Sequence, residues 1–112
     1  MQEPVTAEAL IAAYRQIIQR AHDQGIKVIG ATLTPYQGAG YASPAGEEAR
    51  QALNKFILTS GEFDGVVDFA AATADKANPL AFAAEYNIRD KLHPNDAGYK
   101  AMADAVNLSL FK

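Results

Sequence analysis

The densest run of reactive side chains lies near the C-terminus, in Arg89-Asp90-Lys91-Leu92-His93-Pro94-Asn95-Asp96-Ala97-Gly98-Tyr99. An imidazole takes a proton from a hydroxyl most readily when a carboxylate holds its other ring nitrogen, because that contact selects the tautomer with a free acceptor. Asp90 and His93 have the types and the spacing for this, since a carboxylate three residues earlier on a turning loop reaches the imidazole Nδ1. Pro94 restricts His93 to extended backbone and a helix is expected to start directly after it, so the imidazole is expected at a fixed loop-to-helix junction. Such a pair is half of the proton-transfer machinery of a serine hydrolase. A plainer reading is a helix-end histidine beside a surface carboxylate, and the spacing by itself does not choose between them.

Other residues offer less. Gly38-Ala39-Gly40 after a strand, with Asp68 at the end of the next, faintly suggests a dinucleotide site, but Ser43 replaces the third glycine and Gly38 comes five positions after Leu33, where a tight turn is needed. His22 falls in the last turn of a helix, where a partly positive imidazole favours the helix dipole. With two histidines and no cysteine, a transition-metal site has little to be built from, and no cofactor is expected. Tyr36 and Tyr41 sit in a long loop where they can line an acyl or sugar pocket or act as packing and lid residues, and Asp68 is expected to end its strand and bond backbone amides.

The elements that must position these residues follow from periodicity. Leu10, Ile11, Tyr14, Ile17, Ile18 and Ala21 form one stripe of a helix, predicted over 6–23. Thr6 is its cap, Val5 and Leu10 form a hydrophobic staple, and Gly25 is a left-handed stop. Ile26 to Leu33 is nearly continuous in apolar residues, as a strand covered on both faces should be, and Pro35 ends it. Residues 34–46, with three glycines, two prolines and two tyrosines, read as a long loop. Ser43-Pro44 opens a second helix, with a stripe of Ala49, Ala52, Leu53, Phe56 and Ile57, that ends near Ser60-Gly61. Gly65 to Phe69 is a second buried strand, which makes a parallel strand-helix-strand unit. Between Ala70 and Pro94 only Leu80 to Ala84 suggests a helical turn, and a last helix is expected over 95–110.

The order is α/β within one small domain, but two parallel strands are marginal without neighbours. The long apolar stripe of the first helix also asks for more surface than they supply, so the chain is expected either to self-associate or to complete a larger sheet. A net charge of −3 without a basic cluster removes the usual attraction to nucleic acid and anionic membrane. No run of 18 apolar residues suggests a membrane span, and no targeting signal is visible in the chain. The absence of cysteine leaves the redox compartment open.

Asp90-Lys91-Leu92-His93-Pro94-Asn95-Asp96-Ala97-Gly98-Tyr99 resembles the last block of SGNH/GDSL-type hydrolases, an Asp-x-x-His-Pro-Asn signature leading into the final helix. Gly30-Ala31-Thr32-Leu33-Thr34-Pro35-Tyr36 and Phe63-Asp64-Gly65-Val66-Val67-Asp68-Phe69 are similar to the penultimate and last strands of bacterial members. The resemblance implies a flavodoxin-like three-layer sandwich, of which residues 1–112 would be the C-terminal part of a single domain with the N-terminal half missing. It implies Asp90 as triad acid and His93 as general base in a carboxylic ester hydrolase acting on a small acylated or acetylated carbohydrate or lipid, and it favours a secreted or periplasmic setting. The family's Gly-Asp-Ser nucleophile block and Gly-x-Asn-Asp oxyanion block do not occur here. Ser43, Ser60 and Ser109 stand in cap, helix-end and tail contexts, so the isolated chain is expected to be inactive. The competing expectations are a non-catalytic, self-associating α/β module and, more remotely, a nucleotide-binding α/β domain.

Overall fold

The computed structural model describes residues 6–111. Helix α1 spans Ala7–Asp23, strand β1 Ile29–Ala31, α2 Pro44–Thr59, β2 Gly65–Val67, α3 Phe69–Thr73 and α4 Asp96–Asp104, with 3-10 turns at Ala84–Tyr86 and Leu108–Phe111. The two strands run parallel, with Ile29 opposite Gly65 and Ala31 opposite Val67. The chain is thus an α/β unit with a parallel crossover, as the alternating pattern predicted.

Helix ends follow local rules. Thr6 accepts a hydrogen bond from the Ala9 amide at 3.1 Å, which satisfies one of the amides left over at the start of α1. At the other end Gly25, with φ +72°, turns the chain left-handed, so its own amide bonds the His22 carbonyl and the Ile26 amide that of Ala21. Ser43 caps α2 through the Gly46 amide at 3.0 Å, with Pro44 in the first turn. The hydrophobic staple through Val5 lies outside the described residues.

Both strands are shorter than the sequence predicted. At Leu33 the ladder gives way to side chains of α2: Asn54 accepts from the Leu33 amide at 2.8 Å and donates to its carbonyl at 3.0 Å, and Arg50 donates to the same carbonyl at 3.1 Å. At the start, the Val28 amide donates to the Asp64 carboxylate at 2.7 Å. Asp68 stops β2 by capping α3 through the Ala71 amide, so Phe69, expected to end the strand, begins a helix. Two further corrections concern the C-terminal third. Leu80 to Ala84 is not helical, because Phe82 bridges Ala74 and the 3-10 turn begins only at Ala84. The last helix stops at Asp104, with amides of residues 105 and 106 folding back onto carbonyls 101 to 103, and a separate 3-10 turn follows.

The core gathers Leu53, Phe56 and Ile57 of α2, Ile18 of α1, Val67 of β2, and Phe82 and Ala83 of the long connection. Phe63 lies over Gly30, where a Cβ would come within 2.8 Å of the ring, and it meets Phe56 and Tyr14 edge-on at centroid distances of 6.0 and 6.4 Å. Of the six-residue stripe on α1 only Ile18 is buried, and Ile17 is 57% exposed. The stripe that periodicity assigned to a core is therefore only partly covered, since Leu10, Ile11, Tyr14 and Ala21 are half-buried.

Candidate active site

The connection from β2 to α4 carries Asp90 and His93, and its shape is set by side chains that bond the backbone. Asn87, itself buried, accepts from the amides of Arg89 at 2.8 Å and Lys91 at 3.2 Å and donates to the Ala83 carbonyl at 3.0 Å. Those bonds hold the loop tight enough that Arg89 and Lys91 take φ of 83° and 64°. Left-handed backbone in a residue other than glycine costs on the order of 1 kcal/mol or more, so the contacts around it must hold it in place. Beyond the loop, an isolated antiparallel bridge joins Asn87 to Pro94, and the Ile88 amide donates to the His93 carbonyl at 3.1 Å.

Asp90 then closes on the residues after it. One carboxylate oxygen, Oδ1, accepts from the amides of Leu92 and His93, each at 2.9 Å, and the other, Oδ2, lies 2.5 Å from His93 Nδ1. The His93 amide, with the His93 imidazole next and the Leu92 amide after it, holds the Asp90 carboxyl down at about 2 from its ordinary 3.8. With an ionised partner on Nδ1, the imidazole carries its hydrogen there and presents Nε2 as an acceptor. Nε2 makes no hydrogen bond among the described residues, and the His93 side chain is 63% exposed.

Immediately afterwards Asn95 caps α4, accepting from the Gly98 amide at 2.8 Å while donating to the carbonyls of Glu85 and Asn87. At Gly98 the helix presses its backbone on the loop, where a Cβ would collide with the Tyr86 carbonyl and Pro94. The block Asp-x-x-His-Pro-Asn-x-x-Gly thus has a physical task at each fixed position: carboxylate, imidazole, extended backbone, cap and close approach.

This geometry gives weight to a comparison with known proteins, in which residues 1–101 match the GDSL-like Lipase/Acylhydrolase family. The chain belongs to that family. No individual curated protein matches it significantly. The GDSL-like acylhydrolases are a hydrolase family, and the chain's parallel strand pair agrees with their α/β fold.

The other sequence candidates of this acylhydrolase chain fall elsewhere. His22 does not serve the dipole of α1 alone: its Nε2 meets Asp64 Oδ2 at 2.7 Å and ties the end of α1 to the start of β2. The Val28 amide first, and His22 after it, lower the Asp64 pKa. Asp68 bonds a backbone amide as expected and also accepts from the Thr32 hydroxyl at 2.8 Å, joining the C-terminal ends of both strands. Tyr36 lines a cleft of about 730 Å³ with Ser43, Glu48, Gln51 and Leu80, whereas Tyr41 is 84% exposed and outside it. Gly38 and Gly40 lie in turns ahead of the Ser43 cap and not at the start of a helix. The Oγ of Ser43 accepts from Gly46 and that of Ser60 from Glu62, and no hydrogen bond links His93 to any of the chain's serines among the described residues. Sequence reasoning missed Asn87, whose only advance signal was an Asn two residues before a turn, and the pair Arg50 and Asn54, which looked like ordinary surface residues of α2.

Proposed function

We propose that this chain is the C-terminal part of a single SGNH-type domain, a flavodoxin-like three-layer sandwich, in a carboxylic ester hydrolase. In it Asp90 and His93 are the acid and the base of a Ser-His-Asp triad. The nucleophile and the oxyanion donors come from a Gly-Asp-Ser and a Gly-x-Asn-Asp segment outside these 112 residues. The observation that carries the reading is the Asp90 Oδ2 to His93 Nδ1 contact at 2.5 Å, with Nε2 unengaged.

The steps follow from the geometry. The serine hydroxyl attacks the ester carbonyl as His93 Nε2 takes its proton, and Asp90 stabilises the imidazolium without itself becoming protonated. His93 returns that proton to the leaving alcohol as the tetrahedral species collapses to an acyl-enzyme. Water then attacks the acyl carbon as Nε2 takes its proton, and Nε2 returns a proton to the serine oxygen as the acyl–serine bond breaks and the acid leaves. Asp90 contributes a fixed tautomer and a fixed ring orientation, and the low pKa of its carboxyl keeps it charged throughout. The substrate of this reading is a small acylated compound, which agrees with the acylhydrolase name of the family.

The test uses the 112-residue chain. It should hydrolyse p-nitrophenyl acetate no faster than free imidazole at equal concentration, and a fluorophosphonate should leave Ser43, Ser60 and Ser109 unlabelled. Turnover abolished by Ser43→Ala, or phosphonylation of that serine, overturns the assignment of the nucleophile to another segment.

A further inference from the structure

Beside the Asp90–His93 pair, and distinct from it, lies a hollow of about 530 Å³ lined by Gln37, Asp75, Asn78, Phe82, Arg89 and Lys91 among others. The two residues that flank Asp90 in sequence both line it. They are long cations held at positive φ, where a glycine or an asparagine would make the same turn with less strain. The neighbouring loop is shaped to receive one of them. Gly38, with φ +88°, lies under Lys91, and a Cβ there would come within 2.9 Å of Lys91 Cδ and 3.4 Å of Nζ. Neither Arg89 nor Lys91 makes an ion pair among the described residues, and Asp75 is the one carboxylate of the lining, with one oxygen already accepting from the Ala77 amide. The rim adds polar groups from Gln37 and Asn78, bonded to each other at 2.6 Å, and Phe82 is a buried apolar side chain of the lining. Two cations against one carboxylate leave the hollow positive in a chain whose net charge is −3.

From this arrangement we infer that the hollow is an anion subsite, which binds a carboxylate or phosphate group carried by the ester substrate. Arg89 offers a planar fork to such a group and Lys91 a point charge. Both cations flank Asp90 in the same short loop, so an anion held there is bound by the segment that also carries the proposed triad acid. The inference deepens the esterase reading and rests on it for the identity of the substrate, but the binding itself needs no nucleophile and every lining residue is in this chain.

The experiment is an amide-resolved NMR titration of the chain with monomethyl succinate, inorganic phosphate and the neutral methyl butyrate. The two anions should shift the amides of Gln37, Gly38, Asn78, Arg89 and Lys91 saturably, and methyl butyrate should not; the tighter of the two identifies the group preferred. An Arg89→Gly/Lys91→Gly variant should keep or raise the thermal midpoint, since glycine relieves both left-handed residues, and weaken anion binding at least tenfold. Should that variant not fold, Arg89→Gln/Lys91→Gln at the same backbone angles serves the same comparison. Absence of a saturable shift in the parent, or equal affinity in the variant, overturns the inference. The outcome is separable from the triad, which is read in the natural gene product that carries these residues: anion binding by the chain alongside gene-product ester turnover that survives His93→Ala leaves the subsite standing and removes the triad, and the opposite combination does the reverse.

Discussion

Asp90 does more for its loop than orient an imidazole, because both carboxylate oxygens are engaged within three residues of sequence. Replacing it with asparagine keeps one acceptor for the Leu92 and His93 amides but offers Nδ1 either a neutral oxygen or a competing donor. In the active protein Asp90→Asn should lower kcat on the order of 10⁴-fold with a modest change in KM, as for other triads whose acid becomes its amide. A loss below tenfold in steady-state kinetics would return Asp90 to a purely structural role. The pH dependence has a definite sign. A carboxyl whose folded pKa is depressed, here from 3.8 to about 2, contributes stability that is fully present above its unfolded value. That contribution is lost as the pH falls from about 4 towards 2, so the His93 and Leu92 amides should gain hydrogen exchange in that window and not above it. That the Asp90 and His93 side chains meet was legible in the sequence, because a carboxylate three residues before an imidazole on a turning loop reaches its Nδ1. Asn87 was not, since an asparagine that organises a loop through Asx-type bonds looks like any loop asparagine until the amides it meets are placed.

At the scale of elements, the site depends on the junction between the 3-10 turn Ala84–Tyr86 and α4. Gly98 lets the helix backbone approach the Tyr86 carbonyl, and no side chain fits between them. Gly98→Ala should therefore destabilise the chain by about 1–3 kcal/mol, although alanine is the better helix former. Asn87→Ala, which leaves the Arg89 and Lys91 amides without their acceptor, should cost a similar ~1–3 kcal/mol. Urea denaturation checks both; an alanine at position 98 that stabilises the helix would contradict the close approach. Helix starts were legible here because Thr6, Ser43 and Asn95 act through their own backbone neighbours. Strand lengths were not, because β1 ends where Asn54 and Arg50, distant in sequence, take over the backbone of Leu33. The apolar run to Leu33 carries no trace of that substitution.

For the molecule as a whole, periodicity identified the α1 stripe correctly as a helical face but could not say how much of it this chain would cover. Two three-residue strands give it little to lie on, and Ile17 and Leu33 remain exposed. We expect the isolated chain to self-associate at high micromolar concentration through this face and the open edge of β1, or to lose the tendency when joined to the segment that completes its sheet. Sedimentation velocity over a wide concentration range should show the weight-average mass rising; a compact monomer throughout, with a thermal transition unaffected by dilution, would show that the described core suffices.

In the proposed reaction His93 serves as the base in an acylhydrolase whose serine is supplied from another segment. The most direct test of that role is the hydrolysis of p-nitrophenyl acetate by the natural gene product that carries these residues, compared with its His93→Ala variant at matched folding. We expect kcat to fall by about 10⁴-fold to 10⁶-fold in the variant, the range found when the base of a triad is removed. A gene product without ester turnover, or a variant that retains kcat within tenfold of the parent, would contradict it.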